Sequence, residues 1–160
     1  MTASTISIVL GLTLSAFAAP TPQQKGAAMT KHASGTFDVK ITPQTDDGIS
    51  DPTVGRMSID KQYHGDLDGA GLGQMLTGMA AEVKDSGTYV AIERVRGTLQ
   101  GRAGTFALAH SGTMTRGAQM LIITVIPDTG TEELTGITGT LTIDIVDGKH
   151  FYKFDYTLPG

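Results

Sequence analysis

From Ser34 onward, apolar and polar residues alternate with a period of two in one short segment after another. Phe37, Val39 and Ile41 alternate with Thr36, Asp38 and Lys40, which predicts a strand with one buried and one wet face. Met57, Ile59, Lys61 and Tyr63 alternate in the same way with Ser58, Asp60, Gln62 and His64. Residues 89–99 and 105–114 continue the rhythm around a glycine-containing turn at 101–104, which pairs them as a hairpin. Leu141, Ile143 and Ile145 alternate with Thr140, Thr142 and Asp144, and Asp147-Gly148 then turns the chain into a strand over 150–158. Seven Gly-Thr pairs punctuate these segments, beginning at Gly35, Gly87, Gly97, Gly104, Gly112, Gly130 and Gly139. In each, glycine supplies turn geometry and threonine a β-branched strand start.

Two segments depart from the pattern. Residues 120–126 are apolar on both faces apart from Thr124, so they are expected to be covered on both sides or to lie inside an assembly. Residues 72–84 alone show helical spacing, with Leu72, Met75, Leu76, Met79 and Val83 on one stripe interrupted by Gly73 and Gly78. A short helix and an extended strand both fit that segment. The layout amounts to seven or eight strands with short turns, hence a single-sheet barrel or a sandwich.

Polar residues on the apolar faces decide between the two. A sandwich fills its inner faces with a dry layer of side chains. Here those faces carry Lys61, Tyr63, Glu93, His110, His150, Tyr152 and Tyr156, which are costly to bury unless they pair or meet water or a ligand. The lumen of an eight-stranded barrel is just wide enough for such side chains or one small ligand. The expected fold is therefore all-β, a closed antiparallel eight-stranded barrel, lipocalin-like in outline.

The same residues are the candidate chemistry. Glu93 shares a face with Tyr89, Ala91 and Val95, where apolar surroundings would raise its pKa and suit it to proton transfer. The ordinary alternative is an ion pair with Lys61 across the lumen. Val90 and Ile92 make the opposite face apolar as well, and if that face is inward, Arg94 replaces Glu93 as the lumenal charge. His110 sits with Phe106, Leu108 and Met114, the setting of a general base or of a core histidine bonded to a hydroxyl or carbonyl. Tyr63, Tyr152 and Tyr156 could donate phenolic hydrogen bonds to a ligand or serve as amphipathic wall residues. With Lys61, Tyr89 and His150 they form the expected ligand-binding set, and Glu93 and His110 are the expected catalytic pair if there is catalysis.

Composition narrows the class. With 160 residues, 39% hydrophobic and 18% charged, the chain suits one globular domain with a core. A net charge of −4 with scattered Lys and Arg offers no basic stripe to a phosphate backbone, so nucleic acid is not an expected partner. The absence of cysteine removes disulfides and thiolate chemistry. Asp66-Leu67-Asp68-Gly69 lacks the remaining ligands of a calcium loop, and Gly97, Gly101 and Gly104 are too widely spaced for a phosphate loop. Neither a metal nor a cofactor is expected. Residues 6–19 form an apolar run ending in Ala16-Phe17-Ala18, the small-x-small pattern cut by signal peptidase. No Lys or Arg precedes it, and it is short for a membrane span. The expected organisation is a signal peptide or apolar leader at 1–19, a linker at 20–33 and the barrel at 34–160. Secretion follows, with a cytoplasmic location as the alternative if the leader is not a functional signal, and with no stable membrane span after cleavage.

Several longer stretches carry a resemblance. Gly55-Arg-Met-Ser-Ile-Asp-Lys-Gln-Tyr-His-Gly-Asp-Leu-Asp-Gly69, Tyr89-Val-Ala-Ile-Glu-Arg-Val, Gly104-Thr-Phe, His110-Ser-Gly-Thr-Met114, Asp128-Thr-Gly-Thr and Gly148-Lys-His-Phe-Tyr-Lys-Phe-Asp-Tyr156 together resemble domain-of-unknown-function family 3224. The match runs from about residue 35 to residue 158. The resemblance implies a closed antiparallel barrel similar to that of allene oxide cyclase, and a homo-oligomer. It supplies no reaction, and a secretory leader is a departure from most members. Three readings are carried forward: a barrel that binds a small hydrophobic molecule, an isomerase or cyclase acting on a flexible apolar substrate, and a structural module with a packed lumen.

Overall fold

The computed structural model describes residues 28–45 and 51–159. The predicted leader and most of the predicted linker lie outside the described residues. Eight strands follow one another: β1 (Lys31–Gln44), β2 (Val54–Gly65), β3 (Leu67–Met79), β4 (Gly87–Leu99), β5 (Arg102–Thr115), β6 (Ala118–Val125), β7 (Thr138–Val146) and β8 (Lys149–Thr157). Each pairs antiparallel with the next, and β8 closes on β1 from Lys31↔Tyr156 to Phe37↔His150, giving the expected closed antiparallel barrel. The first strand begins at Lys31, three residues inside the segment expected to be linker.

The face of β4 is settled. Ala91, Glu93, Val95 and Leu99 are buried, whereas Val90 and Ile92 are exposed. Arg94 therefore lies outside, donating from Nη1 to Thr105 Oγ1 at 3.3 Å and to the Thr129 carbonyl at 3.1 Å. The ambiguous segment after residue 72 is strand as far as Met79, paired along its length to β2 and β4. Its glycines would each cost a helix about 1 kcal/mol, while pairing on both edges satisfies the backbone of the strand. The apparent helical stripe divides between the faces, with Met75 buried and Leu72 and Leu76 exposed.

Residues 120–126 are not covered on both faces within the single chain, so of the two expectations only burial inside an assembly stands. Ile123 and Val125 are buried, but Met120, Leu121 and Ile122 are exposed in the single chain. Next to them, β6 meets β7 through one pair only, Thr124↔Thr140, so this seam is the least zipped in the barrel.

One half of the lumen is filled. Leu67, Leu99, Phe106, Leu108, Phe154 and Tyr156 form a core cluster, with the Phe106 and Phe154 rings stacked at 5.6 Å and Phe154 and Tyr156 at 5.3 Å. The connection from β6 to β7 adds to it through a 3-10 turn, Glu132–Leu134, which delivers Leu134 and Ile137 to the cluster. Thr131 Oγ1 accepts from the Thr105 amide at 3.0 Å and Thr129 Oγ1 from the Ala107 amide at 3.0 Å, so the connection is tied to β5. Asp66, in the suspected calcium-loop sequence, is the one-residue link between β2 and β3, and its carboxylate accepts from the Ser34 amide at 2.9 Å.

Candidate functional site

The other half of the lumen is a cavity of about 390 Å³. Its walls are mostly apolar, including Val39, Ile59, Met75, Tyr89, Met114 and Ile143, and polar side chains, Lys61, His110, Gln119 and His150 among them, interrupt them. Because strand side chains alternate, β2 and β5 deliver Lys61 and His110 to the lumen on the parity that buries Ile59 and Phe106. The cavity is on the side where β1, β3 and β5 end, as the contributions of Ile41, Met79 and Met114 show.

Between the cavity and the packed half sits a polar cluster centred on Glu93, which is fully buried. Lys61 Nζ donates to Glu93 Oε2 at 2.7 Å and to the Tyr63 hydroxyl at 3.3 Å. The Tyr63 hydroxyl donates to Glu93 Oε1 at 2.8 Å. His110 Nε2 approaches Glu93 Oε2 to 3.1 Å, but off the line of a well-directed hydrogen bond, leaving that buried nitrogen without an aligned partner. The Lys61 ammonium also lies 4.8 Å from the Phe37 ring centroid, in cation–π range.

The titration of the cluster follows from these contacts. Burial pushes the Glu93 carboxyl up, but the His110 contact and the charge and hydrogen bond of Lys61 outweigh it, and the carboxyl is held below its ordinary value. Removal from water, then the Glu93 charge, pushes the Tyr63 hydroxyl well above the usual phenol range, so it stays a neutral donor. Glu93 is thus a carboxylate with its oxygens occupied, rather than the raised-pKa acid that an apolar pocket alone would produce.

Two glycines make room for this arrangement. A Cβ on Gly71 would collide with the Glu93 carboxylate and press on the Tyr63 ring, so β3 must be bare where Glu93 crosses it. A Cβ on Gly112 would collide with the Tyr89 ring, which lies against β5 there as part of the cavity wall. Glycine inside a strand marks such close approaches.

The sequence candidates divide into three groups. Lys61, Tyr89, His110 and His150 line the cavity. Tyr63 and Glu93 lie outside its lining and support it from below. Tyr152 and Tyr156 point into the lumen but toward its packed end: the Tyr152 hydroxyl accepts from the Leu67 amide at 2.8 Å, and the Tyr156 hydroxyl donates to Gln100 Oε1 at 2.8 Å. For these two the expected ligand contact is replaced by structural hydrogen bonds, because alternation gives the face of the sheet but not the depth in the barrel. The apolar walls Val39, Ile59, Met75 and Ile143 were not singled out from sequence. Their signal was available, since Val39, Ile59 and Met75 share the parity of Lys61 or its strand-pair partner and Ile143 pairs with the lumenal Tyr152. Among the described residues no group of three or more His, Asp or Glu converges as a metal site.

The comparisons agree with the architecture. A crystal structure of a protein with unknown function from the DUF3224 family, from Shewanella oneidensis MR-1, is 42% identical, covers 82% of this chain and 100% of its own, and superposes with a TM-score of 0.76. No curated protein matches the chain. The family model described as "Protein of unknown function (DUF3224)" matches residues 33–156, which includes all of the Glu93 cluster, and the chain belongs to this family.

Proposed function

We propose that the barrel binds one small, mostly apolar molecule in its open half, with a hydrogen-bond acceptor on that molecule seated against Lys61 and His110. The observation that carries this reading is the floor of the cavity. Lys61 has three N–H donors, and Glu93 and Tyr63 occupy two of them, which leaves one for a ligand. A polar group at the end of an apolar pocket is the usual way a small-molecule site fixes orientation. Solvent water can occupy the same position in the free protein, so a ligand must replace its hydrogen bonds as well as gain the apolar walls.

Native mass spectrometry of protein purified from its producer tests this, with one co-purifying apolar compound per chain as the expected result. A Met75→Trp variant, which fills the cavity, should lose that compound while keeping its melting temperature. A clean apo mass for the wild-type chain, or equal retention by the variant, would overturn the reading.

A second reading has one observation in its favour: His110 faces the cavity while a carboxylate stands 3.1 Å behind it. A histidine positioned by a carboxylate can move a proton, and a barrel that folds a flexible apolar substrate against it would act as an isomerase or cyclase. In that case Glu93 positions and His110 transfers. His110→Asn would then abolish turnover while the co-purifying compound remained bound, and equal loss of binding and turnover would count against catalysis.

A further inference from the structure

On the outer face of β3, β4 and β6, six large apolar side chains stand more than half exposed: Leu72 and Leu76 on β3, Val90 and Ile92 on β4, and on β6 Ile122 and Met120, the last of which also reaches the cavity mouth. The strand registers place them side by side. Leu76, Val90, Ser111 and Ile122 form one row across four strands, and Gln74, Ile92, Ala109 and Thr124 form the next. The outward positions of β5 between the ridges are small, running Ala109, Ser111 and Thr113, while Thr105 and Ala107 further along are covered by the β6–β7 connection. The face is therefore a shallow trough along β5 with an apolar ridge on each side. Arg94, bent across β5 to Thr105 and Thr129, closes it toward the packed end.

We propose that this face is the interface between two copies of the chain, related by a two-fold axis that runs along the strands midway between β4 and β5. Such an axis reverses the order of strands on the facing copy, so the β4 ridge of each copy lies over the β5 trough of the other. The registers Val90↔Ser111 and Ile92↔Ala109 put ridge and trough at the same height. Val90 of one copy then meets Ser111 of the second, and Ile92 meets Ala109, large on small at both levels. That is the self-complementarity an isologous contact requires. Small residues on β5 also let two convex walls approach closely, and packing density at the centre decides whether such a contact holds.

Area favours a second copy. The six ridge side chains present roughly 600 Å² of apolar surface, at the upper end of what a free monomer exposes in one patch. Two such faces together reach about 1,200 Å², the lower bound of stable specific interfaces.

The test uses the full chain and light scattering at micromolar concentration. Wild type should have twice the monomer mass. Val90→Lys alone and Ser111→Glu alone should each be monomeric with unchanged melting curves, since both positions are outward and exposed. An equimolar mixture of the two variants should recover the dimer, because the proposed axis sets the introduced ammonium of one variant against the introduced carboxylate of the other. A monomeric wild type overturns the proposal, as does a dimer that survives either single substitution or a mixture that stays monomeric. Co-sedimentation of a monomeric wild type with phosphatidylcholine vesicles would assign the face to a lipid surface instead. Should either variant fail to fold, Ile122→Lys tests the outer ridge in the same assay, and its loss of the dimer is the expected result.

Discussion

The two halves of the lumen are built from the same strands and the same alternation, yet one is packed and the other is hollow. In the packed half, aromatic rings from β5 and β8 stack on one another and Leu134 and Ile137 seal the cluster. In the hollow half, Phe37, Tyr89 and His150 share the wall with aliphatic and methionine side chains, no connection among the described residues caps it, and the end is left open. The β6–β7 connection explains part of the asymmetry, since it contributes side chains to one end alone. Stability is thus concentrated on one side of Glu93 and binding capacity on the other. The Glu93 cluster is the boundary and belongs to both.

The largest effect that should separate the halves is a truncation in each. Phe154→Ala removes a fully buried ring between two others and should cost about 4 kcal/mol, in the range for buried aromatic residues. Met75→Ala borders existing space and should cost about 1 kcal/mol, because its removal enlarges a cavity that already admits solvent. Urea denaturation measures both. Equal losses would mean that the two halves are packed alike.

Next comes the boundary. Glu93→Gln leaves the Lys61 ammonium, 5% exposed, without its counter-charge, and should cost about 3 kcal/mol. The double substitution Lys61→Met with Glu93→Leu removes both charges and should recover most of that loss. If the double variant is as unstable as the single one, then the cluster's value lies in its hydrogen bonds to Tyr63 and not in the charge pair. Gly71→Ala should cost somewhat less, about 2 kcal/mol, by forcing Glu93 off its position. Its signature is a change in the ultraviolet spectrum of the buried tyrosines, which the outward substitution Gln74→Ala should not produce.

Much of this was legible before the structure. Alternation placed Lys61, Glu93 and His110 on lumenal faces, and the ion pair between Lys61 and Glu93 was the ordinary reading of two buried charges. The Asp147-Gly148 hairpin lies where the turn residues put it. What alternation could not give was depth: Tyr63, Tyr152 and Tyr156 share a parity with the cavity residues but sit lower, and only the stagger of β1 against β2 and β8 fixes that. Nor could it resolve residues 72–79, because positions four apart share a face in a helix and in a strand alike. The exposed apolar faces of β4 and β6 were visible as doubly apolar segments, and the barrel shows which side of each is left uncovered.

The smallest effect is in the acid limb of stability. Glu93 is held below its ordinary 4.5 in the folded chain, whereas in the unfolded chain it titrates near that value. Between the two values the unfolded state carries the proton and the native state does not. Stability therefore rises with pH across that window. The contribution is complete above the unfolded value and is lost as pH falls through the folded one. Denaturation curves between pH 3 and pH 6 should show a shallower acid loss for Glu93→Gln than for wild type, measured relative to each protein's plateau. Identical acid limbs would mean that other carboxylates carry the whole dependence. Glu93 would then be a structural acceptor whose proton affinity folding leaves unchanged, and the boundary between the halves would be one of packing alone.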